Sequence, residues 1–320
     1  MIEQRMAAPG GGLVGVIHLL PLPGDPLAGP GAGFGDAERR ALDDAEALVE
    51  GGVDGLIVEN FGSAPFVKGT EGHRAPPHQV AALALVARAL LVRFGKPVGV
   101  NCLRNDAPAA LGVAAAARAS FARVNVHVGA MVTDQGLIEG EAASTLRYRD
   151  ALGARAVAIW ADVLVKHASP LAPLDARQAA RDCLERGLAD ALIVTGAATG
   201  EPVSLARLRE VAEAAEGAPV WLGSGLTPES AEALAPLAHG AIVGTWFKQR
   251  GEVRAPVDAG RVRELVAAAK GKFRAGAARP GLGARRRRPP APGRGPGARS
   301  AGEARPPPGV RASRPGPGAC

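Results

Sequence analysis

The chain reads as an α/β protein: a closed (β/α)8 barrel over residues 11–273, followed by a disordered tail over residues 274–320. Three observations predict it. Short apolar, β-branched runs alternate with longer Ala/Leu-rich segments at helical spacing, and the alternation recurs about every 30 residues. Eight such pairs follow one another, and their strands are apolar throughout. Strands of that kind must be covered on both faces, which a ring of eight covered by eight helices achieves. Beyond about residue 275 the composition collapses to Gly, Pro, Arg, Ala and Ser, with too little apolar surface to offset the entropy of folding. A doubly wound open sheet is the structural alternative, but it ordinarily holds five or six strands.

The strands are read in order as "LVGVIHL" (13–19), "GLIVEN" (55–60), "PVGVNCL" (97–103), "FARVNV" (121–126), "AVAIWADV" (156–163), "ALIVTG" (191–196), "PVWLGSG" (219–225) and "AIVGTWF" (241–247). Helices are expected over 37–51, 77–94, 106–118, 139–152, 175–187, 204–215, 228–236 and 258–272. Start signals support several of them: Asp106 after "RN", Pro228 after Thr227, and Ser204 ahead of "LARLREV".

A barrel of this kind places chemistry on the loops that leave the C-terminal strand ends. The polar residues obey that rule. His18 leaves the first strand, Glu59 and Asn60 the second, and Asn101, Arg104, Asn105 and Asp106 the third. The fourth supplies Asn125, His127 and a long polar loop with Thr133 and Asp134, in which Gly129, Gly136 and Gly140 would permit a hinged lid. The fifth gives Asp162, Lys166 and His167, and the sixth gives Thr195 and "GAATGEP". The opposite joins, such as "EGGVDG", "FGKP" and "LGAR", are plain turn material.

"GSGLTPES" after the seventh strand and "VGTWFK" after the eighth stand where many barrels hold a phosphate on backbone N–H groups. Gly223, Ser224, Gly225, Gly244 and Thr245 are the candidates, although short Gly-Ser turns also end strands for steric reasons alone. Among the ionisable groups, Asp162 or Glu59 can serve as general base, with Lys166 stabilising an oxyanion and His18 nearby. A second arrangement sets Asp162, His18 and His127 around a divalent metal, and a third makes Lys166 a Schiff-base former. No cofactor is otherwise implied. Asn60, Asn101, Asn105, Asn125, His127, Thr133, Asp134 and Thr195 could orient a polyhydroxylated ligand, or could instead tie the loops to one another.

Charge narrows the function classes. The chain carries +7 overall. Residues 276–320 hold ten Arg against the single acid Glu303, a local +9, which leaves −2 for residues 1–275. A mildly acidic barrel offers no basic face for a phosphodiester backbone, so nucleic acid is not expected as its partner. The tail could be a basic arm, a neutral extension or the product of a shifted reading frame in GC-rich DNA. Cys102, Cys183 and Cys320 are too dispersed for a disulfide framework or a zinc knuckle. With no secretory signal and no long uninterrupted apolar run, a cytoplasmic protein is expected, and membrane association would be peripheral.

The segments "GVIHLLPLPGDP", "GGVDGLIVENFGSAPF", "VGVNCLRNDAPAALGVAAA", "RVNVHVGAMVTDQGLIEGEAA", "ADVLVKHASP", "ALIVTGAATGEP", "GSGLTPE" and "AIVGTWFK" resemble the BtpA/SgcQ family in order over roughly residues 11–270. The resemblance implies a TIM barrel of the ribulose-phosphate-binding kind. It also implies a link to photosystem I biogenesis at thylakoid membranes for the cyanobacterial branch, and sugar-type operons for non-photosynthetic members. Leu20 stands where the family usually has proline, and Cys102 where valine is commoner. The expectation is a homo-oligomeric enzyme of lyase, isomerase or hydrolase type acting on a small phosphorylated molecule, or else a non-catalytic assembly factor.

Overall fold

The computed structural model describes residues 6–196 and 202–275. Eight parallel strands close into a barrel: β1 (Gly12–His18), β2 (Gly55–Glu59), β3 (Val98–Asn101), β4 (Phe121–Val124), β7 (Ala158–Val163), β9 (Ala191–Val194), β10 (Val220–Leu222) and β11 (Gly240–Val243). Closure is made by β1 against β11, with Gly12 opposite Gly240 and Gly15 opposite Val243. Eight α-helices wrap the ring: α1 (Phe34–Gly51), α2 (Pro77–Phe94), α3 (Ala107–Ala117), α4 (Ala142–Ala151), α5 (Ala176–Arg181), α6 (Leu205–Ala214), α7 (Pro228–Leu234) and α8 (Ala259–Ala269). The capping expectations hold: Asp106 accepts from Ala109 N–H, Ser204 from Arg207 N–H, and Thr227 forms a capping box with Ser230.

Inside the ring, strand alternation sorts the side chains into layers. Val16, Ile57, Phe121, Trp160, Ile193, Trp221 and Ile242 form a dry plug. Phe121 stacks on Trp160 with centroids 3.9 Å apart, and Trp160 on Trp221 at 4.4 Å. Two glycines make room for these rings, since a Cβ at Gly99 would overlap Phe121 and one at Gly240 would overlap Trp221. At the C-terminal ends of the strands or one residue past them stand His18, Glu59, Asn101, Arg123, Asp162, Thr195, Gly223 and Gly244. The plug is therefore the floor on which a polar layer rests.

The polar loop after the fourth strand is a hairpin instead of an irregular lid. β5 (Ala130–Thr133) and β6 (Gly136–Glu139) pair antiparallel around the turn Asp134–Gln135, and β5 also pairs with β8 (Ala168–Pro170) from the next barrel loop. Met131 and Ile138 face inward onto Val126 and Val165, while Val132 and Leu137 face out. Gly129 and Gly136 have positive φ, and Gly140 lies against the His127 carbonyl too closely for any side chain. These glycines thus fit the hairpin's geometry, and β5 is held by partners on both sides.

By length and apolarity, α2 alone among the described helices could cross a membrane. Here it lies on the barrel with Leu83, Val86, Leu90 and Leu91 buried. Residues 197–201, within the expected "GAATGEP" loop, and 276–320, within the expected tail, lie outside the described residues.

Candidate functional site

The barrel mouth holds a cavity in two parts. One, of about 270 Å³, is bounded by Gly223, Ser224, Gly225, Gly244, Thr245, Trp246 and Arg261. The other, of about 580 Å³, is bounded by Phe61, Phe66, Asn101, Arg104, Asn125 and Asp134. His18, Glu59, Arg123 and Lys166 line both, so the parts are continuous. Four lining side chains are permanently or ordinarily cationic (Arg104, Arg123, Lys166, Arg261) against two lining carboxylates (Glu59, Asp134) and Asp162 behind Arg123, which leaves an excess of one positive charge.

Arg123 organises the floor. Its Nε and Nη2 each donate to a separate oxygen of Asp162 at 3.0 Å, and its Nη1 reaches Glu59 Oε1 at 3.3 Å. The two carboxylates hold the guanidinium above its already high ordinary pKa against the opposing effect of burial. Asp162 also accepts from Asn125 Nδ2 at 3.0 Å and lines neither part of the cavity. It buttresses Arg123 and Asn125 from behind. Glu59 does face the cavity, with Asn101 Nδ2 at 3.3 Å and His18 Nε2 at 3.9 Å.

Lys166 enters from the loop after β7. Thr195 accepts from its backbone N–H at 3.0 Å and Arg104 Nη2 donates to its carbonyl at 2.8 Å. On either side Leu164 and His167 adopt positive φ, a conformation that non-glycine residues keep only when their surroundings enforce it. Burial, and then the nearby Arg123, bring the Lys166 ammonium down from its ordinary range to about 8. His18 is driven the same way, chiefly by burial and secondarily by Lys248, to about 3, so its imidazole is neutral at pH 7. Its ring stacks on Phe61 at 4.3 Å.

The smaller part joins the loops after β10 and β11. Ser224 Oγ accepts from Gly196 N–H at 3.0 Å, which fixes the Gly-Ser-Gly turn, and Gly225 takes φ +68°, open to glycine at no steric cost. Trp246 and Arg261 close the far side. The Arg261 guanidinium lies 4.0 Å from the Trp246 ring centroid and its Nε donates to the Trp246 carbonyl at 2.6 Å. The buried Trp246 indole N–H has no partner among the described residues.

Other expected ligand contacts resolve into scaffolding. Asn60 bridges Leu103 N–H, the Leu103 carbonyl and Gln79; Asn105 bridges both backbone groups of Val126. Thr133 closes the hairpin turn on Gly136, and Thr195 serves the Lys166 backbone. His127 Nε2 lies 2.7 Å from the Gly187 carbonyl, and the residue borders neither part of the cavity. The alternative metal centre of Asp162, His18 and His127 is not assembled, and no group of three His, Cys, Asp or Glu suited to a metal occurs among the described residues.

Several lining residues were absent from the sequence-based site. Arg123 is a lone charge within an apolar strand, placed two residues beyond Phe121, and that parity was a legible signal. Phe61 and Phe66 sat in the noted segment "FGSAPF". Arg261, which comes from α8 far along the chain, offered none.

A model described as the BtpA family matches residues 11–271. "Photosystem I biogenesis protein BtpA" of Synechocystis sp. is 46% identical over 256 residues, covering 80% of this chain and 87% of that protein. An uncharacterized protein of Pyrococcus furiosus is 42% identical over 254 residues, covering 79% and 93%. Among solved structures, a thiamine phosphate pyrophosphorylase from Pyrococcus furiosus superposes with a TM-score of 0.50 at 13% identity, covering 81% of this chain and 96% of that one, a likeness of fold.

Proposed function

The chain belongs to the BtpA family, and from that premise and the chemistry of its barrel mouth we propose that it is an enzyme acting on a small phosphorylated, sugar-like molecule. The observation that carries this reading is the pairing of the glycine-lined turns at Gly223–Gly225 and Gly244–Thr245 with the cations Lys166 and Arg261 in one cavity. Backbone N–H groups of such turns cradle a phosphate, and the glycines let it approach.

Glu59 is then the general base, because its carboxylate faces the cavity while that of Asp162 is committed to Arg123 and Asn125. Lys166, with its pKa near 8, can stabilise a developing oxyanion or move a proton at neutral pH. Neutral His18, whose Nδ1–H donates to the Val253 carbonyl at 3.3 Å, can accept one hydrogen bond at Nε2 beside them. This arrangement suits proton transfer next to a carbonyl, the shared step of isomerase and lyase chemistry. The name of the Synechocystis relative favours a second reading, in which the same pocket senses a metabolite and the protein serves assembly without turnover.

Thermal unfolding with inorganic phosphate and ribose 5-phosphate tests the first element. Both should raise Tm for the native chain and neither for Ser224→Trp. An equal rise in the variant sinks the phosphate assignment. Turnover lost in Glu59→Gln with binding retained separates the enzyme from the sensor.

A further inference from the structure

We propose that the larger part of the mouth receives a planar, nitrogen-bearing ring, which makes the ligand a mononucleotide-like molecule of phosphate, sugar and heterocycle. The phosphate end of that ligand rests on the reading above; the ring end rests on separate observations.

The first is an unmet acceptor. Asn125 is buried at 3% exposure and borders the larger part of the cavity. Its amide cannot be turned over, because Nδ2 lies 3.0 Å from Asp162 Oδ2, and Asp162, held by Arg123 through both oxygens, can only accept. Oδ1 is thereby fixed as an acceptor, and it has no partner among the described residues. A buried acceptor without a donor is costly. Oδ1 itself shows less than 1 Å² of surface, so a ligand N–H reaches it only with a small displacement of the lining, and that donor would remove the cost.

The second is an aromatic wall on one side of the mouth. Phe61 and Phe66 stand 6.3 Å apart on the loop after β2, and His18 stacks on Phe61. Neither phenylalanine belongs to the apolar clusters of the core. A phosphorylated triose or tetrose would draw little from such a wall, whereas a flat ring stacks on it.

The third is room. About 580 Å³ beyond the phosphate end lies within the range of about 300–1,000 Å³ that drug-sized ligands fill. The ring would lie against the phenylalanines with an N–H toward Asn125, while its sugar and phosphate run past Glu59 and Lys166 to the glycine turns.

Isothermal titration of the full chain with AMP, GMP, CMP, UMP, ribose 5-phosphate and the four free nucleosides tests this. At least one nucleotide should bind about tenfold or more tighter than ribose 5-phosphate. Phe66→Ala should abolish that advantage with the ribose 5-phosphate Kd unchanged, and Phe66→Trp should restore it. Ribose 5-phosphate binding as tightly as all four nucleotides overturns the inference, as does an equal weakening of sugar phosphate and nucleotide by Phe66→Ala. Nucleoside binding lost in Phe66→Ala, with no response to ribose 5-phosphate, leaves the ring subsite standing and removes the phosphate reading. Binding of no ligand in the set overturns both.

Discussion

Arg123 grips Asp162 through two parallel hydrogen bonds of 3.0 Å, directly above the stack of Phe121 on Trp160. Each charged residue follows its aromatic neighbour by two positions on the same strand, β4 or β7, so strand alternation alone sets the ion pair on the aromatic floor. Both side chains are almost fully buried, at 4% and 0% exposure, which makes the pair structural.

Asp162→Asn should therefore unfold the protein more readily before it says anything about chemistry. The change leaves a buried guanidinium with one of its two carboxylates gone, a loss of about 3–5 kcal/mol where buried pairs are broken on one side. The double variant Arg123→Met/Asp162→Leu should recover much of it. Urea denaturation checks both, and a single variant as stable as the native chain would show that Arg123 is not anchored by Asp162.

Lys166 makes stability depend on alkaline pH. Its folded pKa of about 8 lies below the ordinary lysine value near 10.5, so between those limits the unfolded chain binds the extra proton. The burden of burying the ammonium is full below pH 8 and is relieved as pH rises through 10.5. Lys166→Met should gain stability at pH 7 relative to the native chain, with the gap closing by pH 10.5. Parallel melts across that range are the check. Affinity for a phosphorylated ligand should fall as pH rises through 8 in the native protein and stay flat in the variant.

His18 acts at the acid end. Buried neutral with a pKa of about 3, it accepts a proton when unfolded from about pH 6.5 downward but not while folded. Stability tied to His18 is complete above pH 6.5 and drains away as pH falls toward 3, with a slope of at most about 1.4 kcal/mol per pH unit. His18→Gln should flatten that part of the profile. Equal slopes for variant and native chain between pH 6 and 4 would count against it.

Most of the ring was written in local pattern. Eight apolar runs with helical spacers, and caps such as Asp106 and Thr227, placed strands and helices to within a few residues. The hairpin β5–β6 was not legible, because Met131 and Ile138 give only one inward residue on each short strand and the partner β8 comes from a different loop. The site divided in the same way. His18, Glu59, Lys166 and Ser224 stand at strand ends, where parity and loop position point to the mouth. Asn60, Asn105 and His127 stand there too, yet each is drawn to a backbone group of a neighbouring loop, a choice settled by tertiary contacts that no single segment encodes.

Gly99 tests whether the floor itself sets the shape of the mouth. A Cβ there would overlap the Phe121 ring, which lies under Arg123 and is fixed on its far face by Trp160. With neighbours packed on both sides the ring has no free space to move into, and overpacking of that kind costs about 1–3 kcal/mol. Gly99→Ala should lower Tm. Adding Phe121→Leu, which shortens the obstructing side chain, should restore part of the loss, so the two changes together should cost less than their separate effects combined. Simple additivity in a double-mutant cycle by urea unfolding would mean that glycine at 99 serves something other than the ring. If the floor also positions the layer above, Gly99→Ala should weaken ribose 5-phosphate binding at temperatures where the variant is fully folded, because Arg123 rides on the ring that must shift.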